Sequence, residues 1–307
     1  MRHHGRFQGL RLADGPLREF VRIALFPVLF VGIVWISLDL FAVFDPVQVG
    51  LFVFFATIPL FFVLERMLPW SERWLGSQGD VHVDVGLTAL AGVVAPLVEA
   101  TTQLSAIAIA GWVGGRGIAQ LWPAEWPLLA QAVLALVVAD FFRYWVHRAL
   151  HEVPLLWRVH ATHHSAVRLY FFNGARIHPI EVLVSGCIEN IPLLLLGVPA
   201  EALALRFVMG RVIGRFQHCN LDVRLGPLDY LFSSPLNHRW HHSRDLREAA
   251  HNYGGDVIIW DHVFRTFYLP AGRVPSDKIG IGGMPDFPSG LWPLLASPFQ
   301  WKRYDAP

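Results

Sequence analysis

Charged residues are scarce in this chain of 307 residues: they make up 16% of the sequence, whereas apolar residues make up 54%. Soluble domains carry about 25% charged residues, so the shortage indicates a protein that contacts lipid. The net formal charge is only +1, and no basic stretch is dense enough to neutralise a run of phosphates. We therefore expect a membrane protein with no nucleic-acid partner.

Cysteine and the common redox-cofactor motifs are also lacking. The two cysteines, Cys187 and Cys219, are too few and too far apart to hold a fold together through disulfides. The sequence has no Gly-rich dinucleotide fingerprint and no Cys-x-x-Cys-His haem-attachment motif. A redox reaction in this protein would therefore need electrons from a separate protein.

Long apolar stretches fill the first half of the chain. A helix of about 20 residues crosses a bilayer core of about 30 Å. Four stretches are long enough, at about residues 20–44, 47–64, 84–113 and 126–146. The first is longer than the apolar part of a signal peptide and lacks a small-residue cleavage site, so we expect a retained span. The predicted fold class is all-α, an integral membrane helical bundle of about four transmembrane helices.

A fifth apolar stretch, residues 180–216, is interrupted by Gly197-Val198-Pro199. Each half is short for a full crossing, and the stretch also carries charged residues. We therefore interpret it as an interfacial helical hairpin. A second transmembrane pair is the alternative, and it would leave the topology of the rest of the chain unchanged.

The distribution of basic residues indicates the orientation. The N-terminal region carries five arginines, and the turn after the first span carries no Arg or Lys. The five are Arg2, Arg6, Arg11, Arg18 and Arg22. The positive-inside rule puts the N-terminus in the cytoplasm, and four crossings return the chain there. The expected organisation is a cytosolic tail (1–19), transmembrane helices (20–146), a cytosolic histidine-rich domain (147–268) and a cytosolic C-terminal segment (269–307).

Histidine is abundant, with 15 residues in the chain. Eight of them form three clusters, His147-x-x-x-His151, His160-x-x-His163-His164 and His238-x-x-His241-His242. Residues at i, i+3 and i+4 share one face of a helix, so each cluster presents two or three imidazoles together. Neutral imidazole suits iron, zinc, copper and nickel. Eight imidazoles exceed the four ligands of one tetrahedral site, so the clusters predict a di-metal site in a cytosolic helical cap.

Two other functions remain open at this point. Zinc hydrolases of the His-Glu-x-x-His type place a glutamate beside the first ligand, but Arg148 occupies that position here. A zinc-dependent membrane hydrolase is therefore one alternative. A metal transporter is the other, although transporters place their ligands near the bilayer midplane on broken helices.

The order of the clusters and the sequences beside them resemble the fatty acid hydroxylase/sterol desaturase superfamily. The flanking sequences are Asp140-Phe-Phe-Arg-Tyr-Trp-Val-His-Arg148, Arg176-Ile-His-Pro-Ile-Glu181, Asn252-Tyr-Gly-Gly-Asp256 and Trp260-Asp-His-Val-Phe-Arg-Thr-Phe-Tyr268. The likeness covers residues 83–268. It implies a catalytic domain with two iron ions that uses O2 to hydroxylate or desaturate a membrane lipid. It also implies an electron donor, a ferredoxin or cytochrome b5 type reductase system.

Carried onto this sequence, the resemblance makes metal ligands of all eight clustered histidines. It adds His218, which lies about twenty residues before the last cluster, and His178 as further candidate ligands. His251 and His262 fall where relatives often have other residues, so we expect them to be structural. Arg265 occupies a place where relatives commonly have glycine.

Metal-bound imidazoles usually donate their second N–H to a carboxylate or a carbonyl group. Asp140 lies two helical turns before His147, and a carboxylate inside a membrane segment is a candidate functional group. The candidates for this supporting role are Asp140, Asn237, Glu181 and Asp261.

Overall fold

The computed structural model describes residues 11–112 and 121–304. Part of the predicted N-terminal tail, the end of the third predicted span and most of the loop after it lie outside these ranges. Within them the chain is all-helical, and extended segments meet only in three isolated bridges. The all-α prediction is confirmed.

Eleven α-helices follow one another along the described chain. They are α1 (Pro16–Phe41), α2 (Pro46–Met67), α3 (Val81–Trp112), α4 (Leu128–Glu152), α5 (Pro154–His164), α6 (Pro179–Leu196), α7 (Ala200–His218), α8 (Pro235–His241), α9 (Leu246–Ala249), α10 (Ile259–Phe264) and α11 (Leu291–Ala296). Short 3-10 turns at residues 72–75, 173–175, 226–230, 297–299 and 301–303 join some of them.

Local sequence explains several helix ends. Oδ1 of Asp45 accepts hydrogen bonds from the backbone N–H groups of Val47 and Gln48, and Pro46 occupies the first position of α2; both features favour a helix start. Gly197 ends α6 with a φ of 81°, a left-handed conformation that glycine adopts without steric cost. Arg265 ends α10 with a φ of 60°, so the turn forms although the residue is not glycine.

Among the described helices, five are long and apolar enough to cross a membrane: α1, α2, α3, α4 and α6. The first four match the predicted spans. Large apolar side chains on their outward faces, such as Phe20, Trp35, Phe52 and Leu104, are exposed, as a surface in contact with lipid requires. The predicted hairpin is the pair α6 and α7, and its first helix has the length and composition of a fifth span.

Helix α7 packs against α1, α2, α4 and α8. Phe216 near its C-terminal end contacts Phe26 of α1 and Phe61 of α2, with ring centroids 4.8 Å and 6.1 Å apart. Helix α6 packs along α3 instead. Gly186 permits this close approach, because a Cβ atom there would lie 2.7 Å from a methyl carbon of Val98.

Buried ion pairs attach the segment after α5 to the start of α3. Arg176 Nε lies 2.6 Å from Asp84 Oδ1, and Arg168 Nε lies 2.6 Å from Asp80 Oδ2. The Tyr170 hydroxyl donates a further hydrogen bond of 2.6 Å to Asp84. These contacts hold the polypeptide that follows the second histidine cluster in one position.

Candidate metal centre

The histidine clusters lie at the ends of four helices that meet at one end of the bundle. The first cluster occupies the last turns of α4, and the second ends α5. His218 is the last residue of α7, and the third cluster lies in α8 and at its C-cap. The ends of α4 and α5 are separated in sequence from those of α7 and α8 by more than 50 residues, so only the tertiary fold brings their imidazoles together.

Nine of the ten predicted ligands form two groups. The first group contains His147, His151, His160, His164 and His241, and the second contains His163, His218, His238 and His242. Within each group the candidate ligand atoms all lie within 4.8 Å of one another. The predicted juxtaposition of the three clusters with His218 is therefore present in the structure.

Two of the clusters contribute to both groups. In the second cluster His160 and His164 face the first group, while His163 faces the second. In the third cluster His241 joins the first group, and its neighbours His238 and His242 join the second. The spacing i, i+3, i+4 thus serves two adjacent sites, because its members diverge slightly around the helix.

The donor atoms fit transition-metal ions. Imidazole nitrogens bind such ions at about 2.1 Å, so donor atoms around one ion lie within about 4.2 Å of one another. This distance is close to the 4.8 Å within which the candidate ligand atoms of each group lie. The Nε2 atoms of His218 and His238 are 2.8 Å apart, and those of His147 and His160 are 3.1 Å apart. Buried Nε2 atoms without a hydrogen-bond partner among the described residues belong to His151, His164 and His241. Buried ring nitrogens that converge in this way are suitable metal ligands.

Hydrogen bonds at Nδ1 orient several of the imidazoles. His160 Nδ1 lies 2.9 Å from Glu181 Oε1, and His147 Nδ1 lies 2.7 Å from the carbonyl oxygen of Tyr253. When Nδ1 carries the proton and donates it, Nε2 is left as the lone-pair donor. Glu181 is thus the supporting carboxylate among the four candidates.

Three further partners complete this supporting shell. His163 Nδ1 is 3.2 Å from the carbonyl oxygen of Arg176, and His241 Nδ1 is 2.8 Å from that of His251. His218 Nδ1 is 3.3 Å from the amide oxygen of Asn173. Sequence reasoning missed the two backbone carbonyls because they carry no residue signature, and it missed Asn173 because this residue lies outside the histidine motifs.

Burial keeps the imidazoles neutral. It lowers the pKa of His218 and of His241 to about 3, and in His218 the neighbouring His241 and Arg143 add to the effect. Burial followed by neighbouring imidazoles also lowers the pKa of His164 and His242 well below the usual value. The neutral form is the one that binds metal, so the site favours the ligand state at physiological pH.

Asp140 has a different role from the one expected. Its Oδ1 accepts hydrogen bonds from the backbone N–H groups of Gly255 and Asp256, at 3.0 Å and 2.7 Å. No hydrogen bond or ion pair joins it to a histidine within residues 11–112 and 121–304. It holds the loop that contains Tyr253, whose carbonyl faces His147. Asp140 therefore supports the metal centre indirectly, because it fixes the backbone of the loop whose carbonyl group faces His147.

Asp261 and Asn237 also bind backbone. Asp261 accepts hydrogen bonds from the N–H groups of Tyr253 and Gly254, at 2.8 Å and 2.7 Å. Asn237 donates to the carbonyl oxygen of Asp229 at 2.6 Å. In the part of the chain that the structure describes, neither side chain forms a hydrogen bond or an ion pair with an imidazole, and both support the loops around the centre.

His178 lies outside both groups. Its Nδ1 accepts a hydrogen bond from the N–H of Ile180 at 3.2 Å, and its Nε2 donates to the carbonyl of Leu295 at 3.2 Å. Both ring nitrogens are therefore occupied, and His178 caps α6 instead of facing the centre. His251 and His262, expected to be structural, also lie outside the two groups, with their rings against Tyr268 and Phe267.

The sequence has relatives of known activity. Residues 132–266 match the fatty acid hydroxylase family model. The chain is 38% identical over 252 residues to ornithine lipid hydroxylase OlsE of Rhizobium tropici. The aligned residues make up 81% of this chain and 75% of that protein. It is 31% identical over 208 residues to alkylglycerol monooxygenase of Xenopus tropicalis, covering 67% of this chain and 44% of that protein.

Methylsterol monooxygenase 1 of Rattus norvegicus is 27% identical over 141 residues, covering 45% of this chain and 46% of that protein. The chain thus spans less than half the length of these two monooxygenases. No solved structure matches it.

The comparisons nevertheless agree on one class of lipid-modifying oxidoreductases. With five helices suited to a membrane and histidine groups suited to metal, this chain belongs to the fatty acid hydroxylase family and is a multi-pass membrane oxidoreductase that acts on lipid.

Proposed function

We propose that this protein hydroxylates an amino-acid-containing membrane lipid of the ornithine-lipid type, using two iron ions, O2 and electrons from a separate redox protein. The observation that carries the proposal is the pair of imidazole groups, which contains nine histidines, seven of them buried. The choice of substrate class rests on the 38% identity to an ornithine lipid hydroxylase over most of both chains. Desaturation of the same lipid is the alternative reaction that this site could perform.

Each metal ion would be held by one imidazole group. Bound iron would supply the redox chemistry that activates O2 toward an unactivated C–H bond. The protein's own part is to keep the imidazoles neutral, to orient them through Nδ1 and to exclude water by burial. Glu181 and the carbonyl of Tyr253 perform the orientation at the first group.

The composition of the site argues against the two alternatives. Neither imidazole group includes a carboxylate among the described residues, and Glu181 is engaged with His160. A zinc hydrolase needs a free general base beside a metal with an open position. A transporter places its ligands along a path near the bilayer midplane, whereas these histidines lie at helix ends.

The electrons would come from a ferredoxin or a cytochrome b5 type reductase system, because the sequence carries no nucleotide or haem motif. A partner of this kind would meet the protein in the cytoplasm. The five arginines of the N-terminal region support that orientation. The active site would then face the cytoplasm.

The test uses the full chain, loaded with iron and placed in lipid nanodiscs that contain ornithine lipid. With NADPH alone we expect no turnover, and with ferredoxin and its reductase we expect a product that has gained one oxygen atom. Under 18O2 that oxygen should carry the label, as mass spectrometry of the extracted lipid would show. Label from water, or turnover without O2, would exclude the oxygenase and favour the zinc hydrolase.

A further inference from the structure

Glu65 lies in the last turn of α2 and belongs to neither imidazole group. It is only 3% exposed, although it is ionisable and is part of a helix suited to crossing a membrane. Ionisable residues in such helices are costly to bury and are usually retained for function. The burial of this carboxylate therefore requires strong hydrogen-bond partners.

Oxygen Oε1 of Glu65 accepts two backbone hydrogen bonds. One comes from the N–H of Phe171 at 2.7 Å, and the other comes from the N–H of Asn220 at 2.9 Å. Phe171 belongs to the segment between α5 and α6, and Asn220 belongs to the segment after α7. Hydrogen bonds to a carboxylate are stronger than those between neutral groups. One buried oxygen thus joins two segments that are distant in sequence.

Both of these segments lead to His218. Asn220 follows it by two residues, so its hydrogen bond to the carboxylate fixes the backbone just after this histidine. Asn173 follows Phe171 by two residues, and its amide oxygen lies 3.3 Å from His218 Nδ1. The same turn limits the position of the ring, because a Cβ atom at Gly174 would lie 3.0 Å from His218 Cδ2.

The backbone after α7 is also held from the opposite side. Arg239 Nη2 donates to the carbonyl oxygens of Cys219 at 3.1 Å and of Leu221 at 2.8 Å. The carbonyl of Cys219 and the N–H of Asn220 belong to one peptide unit, whose planar trans geometry points them in opposite directions. The guanidinium and the carboxylate of Glu65 therefore hold this peptide unit between them, and the chain direction at the end of α7 is set.

We propose that Glu65 is a positioning residue for His218 and thereby secures metal binding by the second imidazole group. His218 lies outside the three clusters, so its place in the group depends on the end of α7. Its Nε2 lies 2.8 Å from His238 Nε2, and a shift of the ring would separate the two donors. Glu181 has the corresponding role at the first group, but it contacts the imidazole directly. The inference rests on the two-metal site of the proposed function.

The test measures metal binding, without turnover. The iron-loaded full chain in lipid nanodiscs is exposed to increasing concentrations of a chelator, and elemental analysis gives the affinity for each ion. We expect the wild type to bind two ions. Glu65→Leu should bind one of them at least about tenfold more weakly, as when a partner that supports a ligand is removed. Glu65→Gln keeps an acceptor oxygen and should hold both ions nearly as tightly as the wild type.

Gln131→Leu is the matched control. The Gln131 side chain is also buried and donates to the backbone carbonyls of Ala124 and Trp126, but it lies at the opposite end of α4 from the histidines. Both leucine variants should have a lower melting temperature, because each leaves buried backbone groups without a partner. Only Glu65→Leu should lose metal affinity.

A double variant separates positioning from general destabilisation. In a His218→Ala background the second group already lacks the ligand that Glu65 positions, so Glu65→Leu should weaken metal binding no further. If Glu65→Leu does not fold, Asn173→Ala takes its place. It removes the amide oxygen next to the ring and should also weaken the binding of one ion.

Retention of both ions at wild-type affinity by Glu65→Leu, or by Asn173→Ala in its place, would overturn the inference. An equal further loss in the His218→Ala background would do the same, and so would an equal loss of metal affinity in Gln131→Leu. A wild-type chain that binds fewer than two ions would overturn it together with the two-metal site. Failure of the proposed function alone looks different: Glu65→Leu would lose one ion as expected, but the wild type with two ions would add no oxygen to the lipid.

Discussion

The Nδ1 atom of His160 lies 2.9 Å from Oε1 of Glu181, and both side chains are buried. This contact joins the second histidine cluster to the first turn of α6. A carboxylate in this position fixes the imidazole tautomer and raises the basicity of the ligand nitrogen. The relationship makes Glu181 the most direct support of the metal centre outside the ligands themselves.

We expect Glu181→Ala to weaken metal binding about 10- to 100-fold, the usual effect of removing such a partner. Glu181→Gln keeps an acceptor oxygen, so its metal affinity should lie between that of Glu181→Ala and that of the wild type. Elemental analysis after competition with a chelator measures the change. Glu152→Ala, at an exposed carboxylate, is the matched control, and unchanged affinity in Glu181→Ala would remove the supporting role.

His241 and His251 offer a contrast between a side chain and a backbone group. His241 joins the first imidazole group, whereas His251 supplies only its carbonyl oxygen to His241 Nδ1. We expect His241→Ala to abolish turnover and reduce the metal content below two ions per chain. His251→Ala keeps the carbonyl and should retain both metals and at least part of the activity. Full activity of His241→Ala with two bound metals would contradict the di-metal site.

Asp140 should matter through the loop that it anchors. Asp140→Ala leaves the buried N–H groups of Gly255 and Asp256 without their acceptor, at a cost of about 1–3 kcal/mol for each unsatisfied group. We expect a lower melting temperature and weaker metal binding, because the carbonyl of Tyr253 loses its position. Asp140→Asn can still accept and should recover most of the stability. A wild-type melting temperature in Asp140→Ala would show that the loop is held by other contacts.

His178 should contribute to acid sensitivity without binding metal. Burial lowers its pKa below the usual 6.5, so the unfolded chain takes up the proton first as the pH falls. The stability present above about pH 6.5 is therefore lost as the pH falls through the folded-state pKa. His178→Asn, which can still cap a helix, should show a smaller fall in melting temperature between about pH 7.5 and 5.5. Its metal content should equal that of the wild type, and a loss of metal would make His178 a ligand after all.

The topology can be tested with fused reporters. We expect a reporter after Pro307 to be cytosolic, because the five arginines of the N-terminal region favour the cytoplasm for the N-terminus. Both ends of the α6–α7 hairpin lie at the metal centre, where Glu181 meets His160 and His218 joins the second group. The hairpin therefore returns to the side from which it leaves, whether or not it crosses the membrane. Periplasmic or lumenal activity of the reporter would reverse the orientation.

The sequence alone determined the helical spans and the three histidine clusters. Both are local properties: a span depends on a continuous apolar stretch, and a cluster depends on the i, i+3, i+4 period of one helix. Glu181 and His218 were also identified in advance, since each lies near a recognisable motif. Whether α6 spans the membrane was left open, because its length and composition fit both alternatives.

The tertiary structure alone decided how the ligands divide and what supports them. His163 and His164 are neighbours in sequence but join different groups, because successive residues of a helix point about 100° apart and the two groups are adjacent at the end of α5. The motif around His178 predicted a metal ligand, but the structure places both of its ring nitrogens in hydrogen bonds to backbone groups. Asp140 shares a helix with His147, yet its partner is a loop more than 100 residues away. These outcomes depend on which helix ends converge, and that convergence comes from packing between segments that are distant in the chain.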